Sequence, residues 1–383
     1  MNALAPFGFY GWGNIGDEST LQGFARLVGL HGRGLKVSVS SQNPVHTRRV
    51  EPFFKYFRAG ENSLRERWAR RTSKAHVIAG GTPIMDNLGD WPLSELVPLV
   101  ESAVRSGRPF ACVGVGVETL REERSRRLVT TELAPHVVHW SVRSDRDRGR
   151  LESLGVSPAR ITVAADMAWL LSPVDTDFGR RTIARLTPES NRRIVVGVNI
   201  NFERAMAARQ PRLKVIVAAA LDRLIDTVDA RVLFLCNEIR EGETFDKATA
   251  QSIVALMKRR DQAAIVPNEY FTPQQMLSLI GCCDLTVSSR YHFCLFSALQ
   301  AVPFLALNRS DKVEDLCLDL HWSNALTLPD LDAHDLCRLM NDLASDRPAL
   351  TPILVEGAGQ LRNKAHKNLA ALEALAGTDS GRA

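Results

Sequence analysis

Residues 7–28 read FGFYGWGNIGDESTLQGFARLV and combine a short apolar run, a glycine-rich turn and a periodic apolar stretch. The apolar residues 7–10 predict a buried strand. Leu21, Phe24 and Leu27 recur at the spacing of one helix face, so the residues after the glycines predict an amphipathic helix. A strand joined to a helix by a tight turn is the opening of a βαβ unit. This stretch therefore predicts a parallel sheet covered by helices.

Apolar runs of strand length recur along the rest of the chain, and longer stretches with helical spacing separate them. This alternation predicts an α/β protein with a mostly parallel sheet in each half. Residues 213–228 and 274–282 are two of the predicted helices. The predicted strands after the first are residues 35–39, 76–79, 110–115, 139–142, 161–164, 194–199, 231–235, 264–266, 285–288 and 304–307.

A length of 383 residues predicts two domains. Residues 172–193 contain Pro173, Pro188 and clustered charges but little apolar periodicity, so we interpret them as the linker. We predict an N-terminal domain at residues 1–175, a C-terminal domain at residues 190–355, and a C-terminal helix with a frayed tail at residues 356–383. Ligands of doubly wound domains bind at the carboxyl ends of the strands, so we expect a cleft between the domains to hold the site.

Composition excludes several classes of protein. With 45% hydrophobic and 24% charged residues, the chain is neither disordered nor fibrous, and its net charge of +5 is too small to indicate nucleic acid. Basic residues at 65–74 and 121–127 alternate with acids or lie at helical spacing, which favours solvated helix faces. The seven cysteines lack metal or redox spacing. We expect a reduced, cytoplasmic protein without a signal peptide, membrane span or metal.

The glycine turn matches the Gly-x-Gly-x-x-Gly pattern of dinucleotide-binding proteins. A nicotinamide cofactor also requires an acidic residue after the second strand, but residues 37–42 (VSVSSQ) contain none. Asp17 and Glu18 would moreover repel a pyrophosphate, so this pattern disfavours such a cofactor. Asp17 could instead cap the following helix or accept a proton from a sugar hydroxyl. The glycine-lined turn would leave room for the sugar to approach the backbone, and Gly13 and Asn14 in this turn are predicted to bind the substrate.

Three other features fall at predicted strand ends in the first half. Gly81 belongs to one glycine pair, and residues 114–116 (GVG) form another cluster. Arg143 follows the strand at 139–142 and could clamp a carboxylate or phosphate with two hydrogen bonds. The alternative for Arg143 is a surface ion pair with Asp145 or Asp147.

The segment 285–293 (LTVSSRYHF) predicts a strand that ends at Ser288 and Ser289 and a helix that begins near Arg290. Two hydroxyls, a guanidinium and the backbone N–H groups of a helix start would converge there on an anion. His292 could exchange protons near neutral pH, although a core or capping histidine is the commoner case. Lys312 follows the next predicted strand and would reach the same edge of the sheet.

The order of these motifs resembles the polysaccharide pyruvyl transferase family over about residues 7–315. The motifs are GWGNIGDE at 11–18, GG at 80–81, GVG at 114–116, SVR at 141–143, LG at 154–155, AD at 165–166, and Ser-x-Arg-x-His at 288–292 followed by Pro303 and Lys312. Carried over by position, the family's motif aspartate falls on Asp17, its strand-end arginine on Arg143, its Arg-x-His pair on Arg290 and His292, and its late lysine on Lys312.

The resemblance implies two Rossmann-like domains similar to those of GT-B glycosyltransferases. It also implies transfer of the enolpyruvate-derived group of phosphoenolpyruvate, a co-substrate, onto two hydroxyls of a saccharide to form a pyruvate ketal, with no other cofactor. Either Asp17 or His292 would be the hydroxyl base. Thr82 stands where the family has a third glycine, and Val117 and Glu118 replace a common proline. These departures affect the acceptor more than the donor site.

Several points stay open at the level of sequence. The acceptor could be lipid-linked, nucleotide-linked or polymeric, and the resemblance adds an expectation of peripheral association with the inner membrane face. The oligomeric state, the bridged hydroxyls and the ketal stereochemistry are undetermined. Two alternatives remain: a GT-B glycosyltransferase that uses a nucleotide sugar, and a non-catalytic glycan-assembly protein on the same scaffold.

Overall fold

The computed structural model describes residues 3–31, 35–59, 71–186, 194–242, 245–329 and 331–380. The chain divides into two compact units, which are described separately. The first unit comprises Met1–Trp12, Asp17–Leu171 and Arg362–Ala383, and the second comprises Gly13–Gly16 and Ser172–Leu361. The part of the glycine turn from Gly13 to Gly16 thus belongs to the second unit.

Fourteen strands are defined within the described residues. They are β1 (Ala3–Phe7), β2 (Lys36–Ser41), β3 (Lys55–Arg58), β4 (Ala75–Ala79), β5 (Asn87–Asp90), β6 (Phe110–Val115), β7 (Val137–Val142), β8 (Ile161–Val163), β9 (Ile194–Asn199), β10 (Ala230–Leu235), β11 (Ala263–Val266), β12 (Leu285–Ser288), β13 (Phe304–Asn308) and β14 (Ala325–Thr327).

The described α-helices are numbered in the same way. They are α1 (Ile15–Leu30), α2 (Pro44–Val50), α3 (Leu93–Arg105), α4 (Glu123–Leu128), α5 (Asp145–Ser153), α6 (Asp177–Leu186), α7 (Arg204–Arg209), α8 (Leu213–Val228), α9 (Asp246–Leu256), α10 (Pro273–Ile280), α11 (Tyr291–Leu299), α12 (Asp311–Asp319), α13 (Ala333–His366) and α14 (Leu369–Ser380). Shorter helical turns occupy Val129–Leu133, Pro158–Arg160, Met167–Leu170 and Arg260–Gln262.

Each unit has one parallel sheet. The order is β3-β2-β1-β4-β6-β7-β8 in the first unit and β11-β10-β9-β12-β13-β14 in the second. Both are Rossmann orders, and the strand order reverses between β1 and β4 and between β9 and β12. Loops at the carboxyl ends of these pairs are where doubly wound sheets bind ligands. The predicted parallel α/β architecture is confirmed.

Three of the central strands are buried along their whole length, as expected when helices cover both faces of a sheet. Every residue of β4 (AHVIA) and β6 (FACVGV) is buried, and the same holds for β12 (LTVS). Their mainly apolar or β-branched residues explain why the sequence located them within a residue or two. The short strands β3, β5 and β14 lack such runs and were not predicted.

The first strand was predicted at residues 7–10, but β1 ends at Phe7. Phe9 and Tyr10 follow β1 and pack beside the sheet, so their apolar character does not indicate a strand. The Phe9 ring stacks at a tilt on Trp91 with centroids 4.7 Å apart. The buried Tyr10 donates its hydroxyl proton to the backbone oxygen of Ala79 over 2.7 Å.

The predicted linker at residues 172–193 is wrong in part, because α6 occupies Asp177–Leu186 and packs on α10. Gly179 permits the close approach: its N–H donates to Ser278 Oγ at 3.0 Å, and a Cβ there would lie 2.3 Å from the backbone oxygen of Ser278. A single glycine contact leaves no periodic signal. Residues 187–193 lie outside the described residues.

The C-terminal segment, predicted as a separate piece at residues 356–383, divides between the two units. The helix α13 starts in the second unit, and from Arg362 onward the chain belongs to the first unit, where α14 packs on β6 and β7. Buried Asn368 donates to the backbone oxygen of Ala165 at 2.9 Å and accepts from Ser141 Oγ at 2.7 Å. The helix extends to Ser380, so the predicted fraying from residue 377 is also wrong for the described part.

Candidate functional site

The carboxyl edge of the second sheet, at its β9/β12 reversal, carries most of the predicted site residues. Ser288 ends β12, and both Ser288 and Ser289 are fully buried. Ser288 Oγ accepts from the backbone N–H of Arg290, and Ser289 Oγ accepts from that of Asn201, each at 3.0 Å. These two hydroxyls therefore hold the turn that leads into α11.

Arg290 occupies the N-cap position of α11. Its guanidinium contacts Asp246 Oδ1 through Nε at 3.0 Å and through Nη2 at 2.6 Å, and Glu238 Oε2 through Nη2 at 2.6 Å. Burial alone would lower the pKa of Arg290, but the two carboxylates outweigh burial and hold it above its usual value. The predicted anion-binding arginine is thus the centre of a buried ionic triad, Arg290–Glu238–Asp246.

The two carboxylates of this triad were not identified from sequence. Asp246 Oδ2 accepts from Asn199 Nδ2 at 3.0 Å and from the backbone N–H of Asn237 at 2.8 Å, while Glu238 Oε1 contacts Arg240. The available signal was their position, because both follow β10, whose carboxyl end lies at the same edge. Their partners could not be read from spacing.

The glycine turn is anchored within the second unit by asparagines. Asn14 forms an isolated antiparallel bridge with Glu238, and its Oδ1 accepts from the backbone N–H of Gly16 at 3.0 Å and from Asn237 Nδ2 at 3.1 Å. Asn268 Nδ2 donates to the backbone oxygen of Gly13 at 3.2 Å. The predicted residues Gly13 and Asn14 are therefore held against the loop after β10.

His292 lies in the first turn of α11, half-buried, with its ring edge-on to Tyr291 at a centroid distance of 5.1 Å. The ring lies directly against the glycine turn: a Cβ at Gly16 would be 2.3 Å from His292 Nδ1. The structure thus brings together two motifs that are far apart in sequence. A half-buried imidazole at a helix start is placed to transfer a proton to or from a bound ligand.

Two basic residues follow β13, the neighbour of β12. Lys312 lies half-buried in the first turn of α12, as predicted from its position after the strand. Arg309 was missed, although it directly follows the strand end. Its Nη1 contacts Asn201 Oδ1 at 3.1 Å and Glu203 Oε1 at 2.8 Å. These side chains add positive charge at the edge that carries His292.

The remaining predicted residues lie in the first unit. Asp17 is half-buried inside the first turn of α1, which begins at Ile15, so the predicted capping role is wrong. Its carboxylate still complements the helix dipole. The adjacent Glu18 is buried and accepts the N–H of Gly11 at 2.6 Å. Burial raises the pKa of Glu18 to about 8, with Asp17 adding to the rise and the Gly11 bond opposing it.

Arg143 forms a buried ion pair, not the predicted surface pair with Asp145 or Asp147. Its Nη2 lies 3.0 Å from Oδ2 of the fully buried Asp166, and its Nε donates to the backbone oxygen of Gly114 at 2.9 Å. Asp147 instead accepts the backbone N–H of Val117 at 2.9 Å. The alanine–aspartate motif at 165–166 therefore supplies the partner of Arg143.

Gly81 follows β4 in the left-handed region, with φ of 74°, and its carbonyl accepts from the backbone N–H of Gly116 at 2.9 Å. The structure thus joins the two predicted glycine clusters of the first unit. Elsewhere in the described residues, Asp332, His334 and Asp335 have side-chain atoms close enough for a metal ion, and none of the three is buried. No helix among the residues described is long and apolar enough to cross a membrane.

Two Rossmann-like units in series define a GT-B fold, and this prediction is confirmed by solved structures. A glycosyltransferase from Rickettsia africae matches at 12% identity and a TM-score of 0.63, over 97% of this chain and 96% of that one. Alr3699/HepE from Anabaena in complex with UDP and glucose matches at 11% identity and a TM-score of 0.64, over 100% of both chains. UDP-GlcNAc 2-epimerase from Neisseria meningitidis bound to UDP-GlcNAc matches at 11% identity and a TM-score of 0.61, over 92% and 94%.

At these identities the likeness establishes the fold alone. The particular family follows from the sequence model of the polysaccharide pyruvyl transferases, which matches residues 14–311. That match covers most of the chain. The protein belongs to the polysaccharide pyruvyl transferase family, as its motifs predicted.

Proposed function

We propose that this protein moves the enolpyruvate-derived group of phosphoenolpyruvate onto two hydroxyls of a saccharide, forming a pyruvate ketal during synthesis of a polysaccharide or cell-envelope glycan. The observation that carries the proposal is the position of His292. Its ring lies at the start of α11 against Gly16, at the reversal of the second sheet. Family membership supports a transferase that modifies polysaccharides.

Phosphoenolpyruvate carries a phosphate and a carboxylate, so its site needs cations and N–H donors. Arg290 is compensated by two carboxylates and Arg143 by one, which reduces what either adds to the binding of an anion. We assign the principal contacts with the donor to Lys312, which follows β13 in the first turn of α12, and to the N-terminus of α11. Arg290 fixes the start of that helix.

The reaction begins when the His292 imidazolium protonates the methylene carbon of phosphoenolpyruvate, which makes C2 electrophilic. A sugar hydroxyl adds to C2 and gives its proton to Asp17 or His292. The C2–O bond to phosphate then breaks, and the second hydroxyl adds to C2 to close the ketal. One of the two hydroxyl protons makes up for the proton that His292 gave to the methylene carbon, and the other leaves with phosphate. Each assisted proton transfer contributes about 10²- to 10⁴-fold in rate.

The first test is a thermal-shift titration with phosphoenolpyruvate and, separately, with nucleotide sugars. We expect phosphoenolpyruvate to raise the Tm of the wild type and of Lys258→Ala, an exposed lysine in the second unit, but not of Lys312→Ala. His292→Ala should keep the donor response and lose phosphate release with an acceptor. Stabilisation by a nucleotide sugar alone would overturn the proposal.

The same titration addresses the alternatives. A nucleotide-sugar glycosyltransferase is favoured by one observation, the UDP and glucose bound to Alr3699/HepE in a structure of the same fold. A non-catalytic glycan-assembly protein would release no phosphate with any acceptor, and His292→Ala would leave its behaviour unchanged.

The donor residues of this proposal lie in the second unit, and the residues that we propose for the saccharide, Asp17 and Gly81, lie in the first. The expectations of a cytoplasmic location, of no further cofactor and of a saccharide acceptor attached to a lipid, a nucleotide or a polymer belong to the same proposal. A panel of acceptors of these three kinds, assayed for phosphate release, would distinguish them.

A further inference from the structure

The most exposed large apolar side chains in the described residues belong to one short segment of the first unit. Phe53 is 90% exposed and Val45 is 75% exposed. Val45 lies on α2, and Phe53 follows exposed Pro52 in the turn between α2 and β3. Single exposed apolar residues are ordinary, but two that are nearly fully exposed and close in sequence indicate an interaction surface.

The turn is built to hold Phe53 outward. Its backbone N–H donates to Glu51 Oε1 at 3.0 Å, and the hydroxyl of buried Tyr56 donates to the backbone oxygen of Glu51 at 2.5 Å. The next residue, Phe54, is buried, with its ring edge-on to Phe24 at 6.3 Å. Because these contacts fix the backbone on both sides, the exposure of Phe53 is a property of the fold.

Three exposed basic residues lie close in sequence to the two apolar side chains. Arg48 and Arg49 are exposed and lie three and four residues after Val45, so they share its face of the helix. Lys55 is exposed two residues after Phe53. The one acidic residue among residues 42–59 is Glu51, which is buried. Val45, Arg48, Arg49, Pro52, Phe53 and Lys55 are here called the α2 patch; all six are exposed, and their side chains are apolar or basic.

We propose that the α2 patch docks this protein on a membrane surface rich in anionic phospholipids. Exposed aromatic and aliphatic side chains enter the interface between headgroups and acyl chains, while neighbouring arginines and lysines bind the phosphates. Each basic residue near such a surface adds to the affinity, and neither component alone gives stable attachment. A nucleic acid would use the charges but would leave Val45 unexplained.

Co-sedimentation with vesicles tests this directly and needs neither a donor nor an acceptor. We expect the wild type to bind vesicles of phosphatidylglycerol and phosphatidylcholine and not vesicles of phosphatidylcholine alone. Phe53→Ala should weaken binding about tenfold, since it removes most of one buried apolar side chain. The double variant Arg48→Gln/Arg49→Gln should weaken it by about tenfold or more, with a smaller dependence on salt.

The controls are an exposed valine and an exposed arginine elsewhere, Val355→Ala and Arg105→Gln, which should bind as the wild type does. All variants should keep the wild-type Tm because the changed side chains are exposed. Absence of vesicle binding, or binding that Phe53→Ala leaves unchanged, would overturn the proposal. Binding of an oligonucleotide that requires Arg48 and Arg49 but not Phe53 would replace it with a polyanion site.

Discussion

At the scale of single residues, the buried ionisable groups decide what the site can do. Arg290 and Glu18 both belong to motifs that resemble the family's, and spacing could not predict the environment of either residue. Two carboxylates compensate the charge of Arg290, whereas burial raises the pKa of Glu18 and so opposes the ionisation of its carboxyl group. Their substitutions have opposite expected effects on stability.

Glu18→Gln should flatten the dependence of stability on pH. Burial raises the pKa of Glu18 to about 8 in the folded protein, against 4.5 for an unperturbed glutamate. The stability that the protonated carboxyl group contributes is fully present below pH 4.5 and is lost as the pH rises through about 8, by up to roughly 5 kcal/mol. Glutamine keeps an acceptor for the N–H of Gly11 but cannot ionise, so the variant should be the more stable one at alkaline pH.

Urea unfolding of the wild type and Glu18→Gln across this pH range measures the effect. Glu101→Gln, at an exposed position on α3, is the matched control and should retain the wild-type slope. Equal slopes for Glu18→Gln and the wild type would mean that Glu18 is ionised in the folded protein.

Arg290→Ala should destabilise the protein by about 3–5 kcal/mol, because it leaves Glu238 and Asp246 buried without their cation. Arg338→Ala breaks only exposed ion pairs with Asp335 and Asp342 and should cost about 1 kcal/mol or less. Denaturant unfolding of both variants compares them. If Arg290→Ala unfolds like the wild type while the donor response disappears, Arg290 binds the donor itself.

At the scale of elements, the start of α1 and the start of α11 depend on each other. The ring of His292 occupies the space that a side chain at residue 16 would need. A glycine is therefore required where these two helices meet within the second unit. The Gly-x-Gly-x-x-Gly pattern provides this contact and the anchored turn. Because it serves that purpose, it lacks the acidic residue that a dinucleotide site requires after the second strand.

Gly16→Ala should displace the His292 ring and cost about 1–3 kcal/mol of stability, with loss of phosphate release. Gly29→Ala is the control near the other end of α1, where an added Cβ meets nothing within 4 Å. That change should be neutral or stabilise by about 0.5–1 kcal/mol, as alanine does in a helix. Wild-type activity in Gly16→Ala would show that the ring can move without consequence.

At the scale of the whole molecule, the two compact units are not two continuous stretches of chain. The second unit takes the short segment Gly13–Gly16, and the first unit is completed by Arg362–Ala383. Within the first unit, α14 covers β6 and β7, and Asn368 satisfies buried polar groups of Ser141 and Ala165. Residues of α14 such as Ala371, Leu372 and Leu375 are therefore part of the core of the first unit.

Deletion of Arg362–Ala383 should destabilise the first unit, because it uncovers an apolar sheet face and leaves Ser141 and Ala165 without Asn368. We expect early proteolysis of the first unit and a lower Tm. Deletion of residues 381–383 alone is the control and should have no effect. A truncated protein with the wild-type Tm would show that α14 is dispensable.

Much of the architecture was predictable because the local periodicity of apolar residues indicates it. The strand β6 is a continuous apolar run, and α8 has helical spacing along its whole length, so their positions followed from nearest neighbours in sequence. The placement of motifs after strands also predicted that Ser288, Arg290 and His292 share one edge of a sheet. The short strands β3, β5 and β14 carried no such signal.

The sequence by itself thus determined the parallel α/β class, the family and the sheet edge that carries the candidate site. Tertiary structure alone decided which charges meet: Arg290 with Glu238 and Asp246, and Arg143 with Asp166. It also decided that Gly16 faces His292. The physical reason is the separation in sequence of the residues involved. Apolar periodicity reflects neighbouring turns of a helix or neighbouring residues of a strand. Ion pairing and steric fit instead join loops that the sheet brings together from distant parts of the chain.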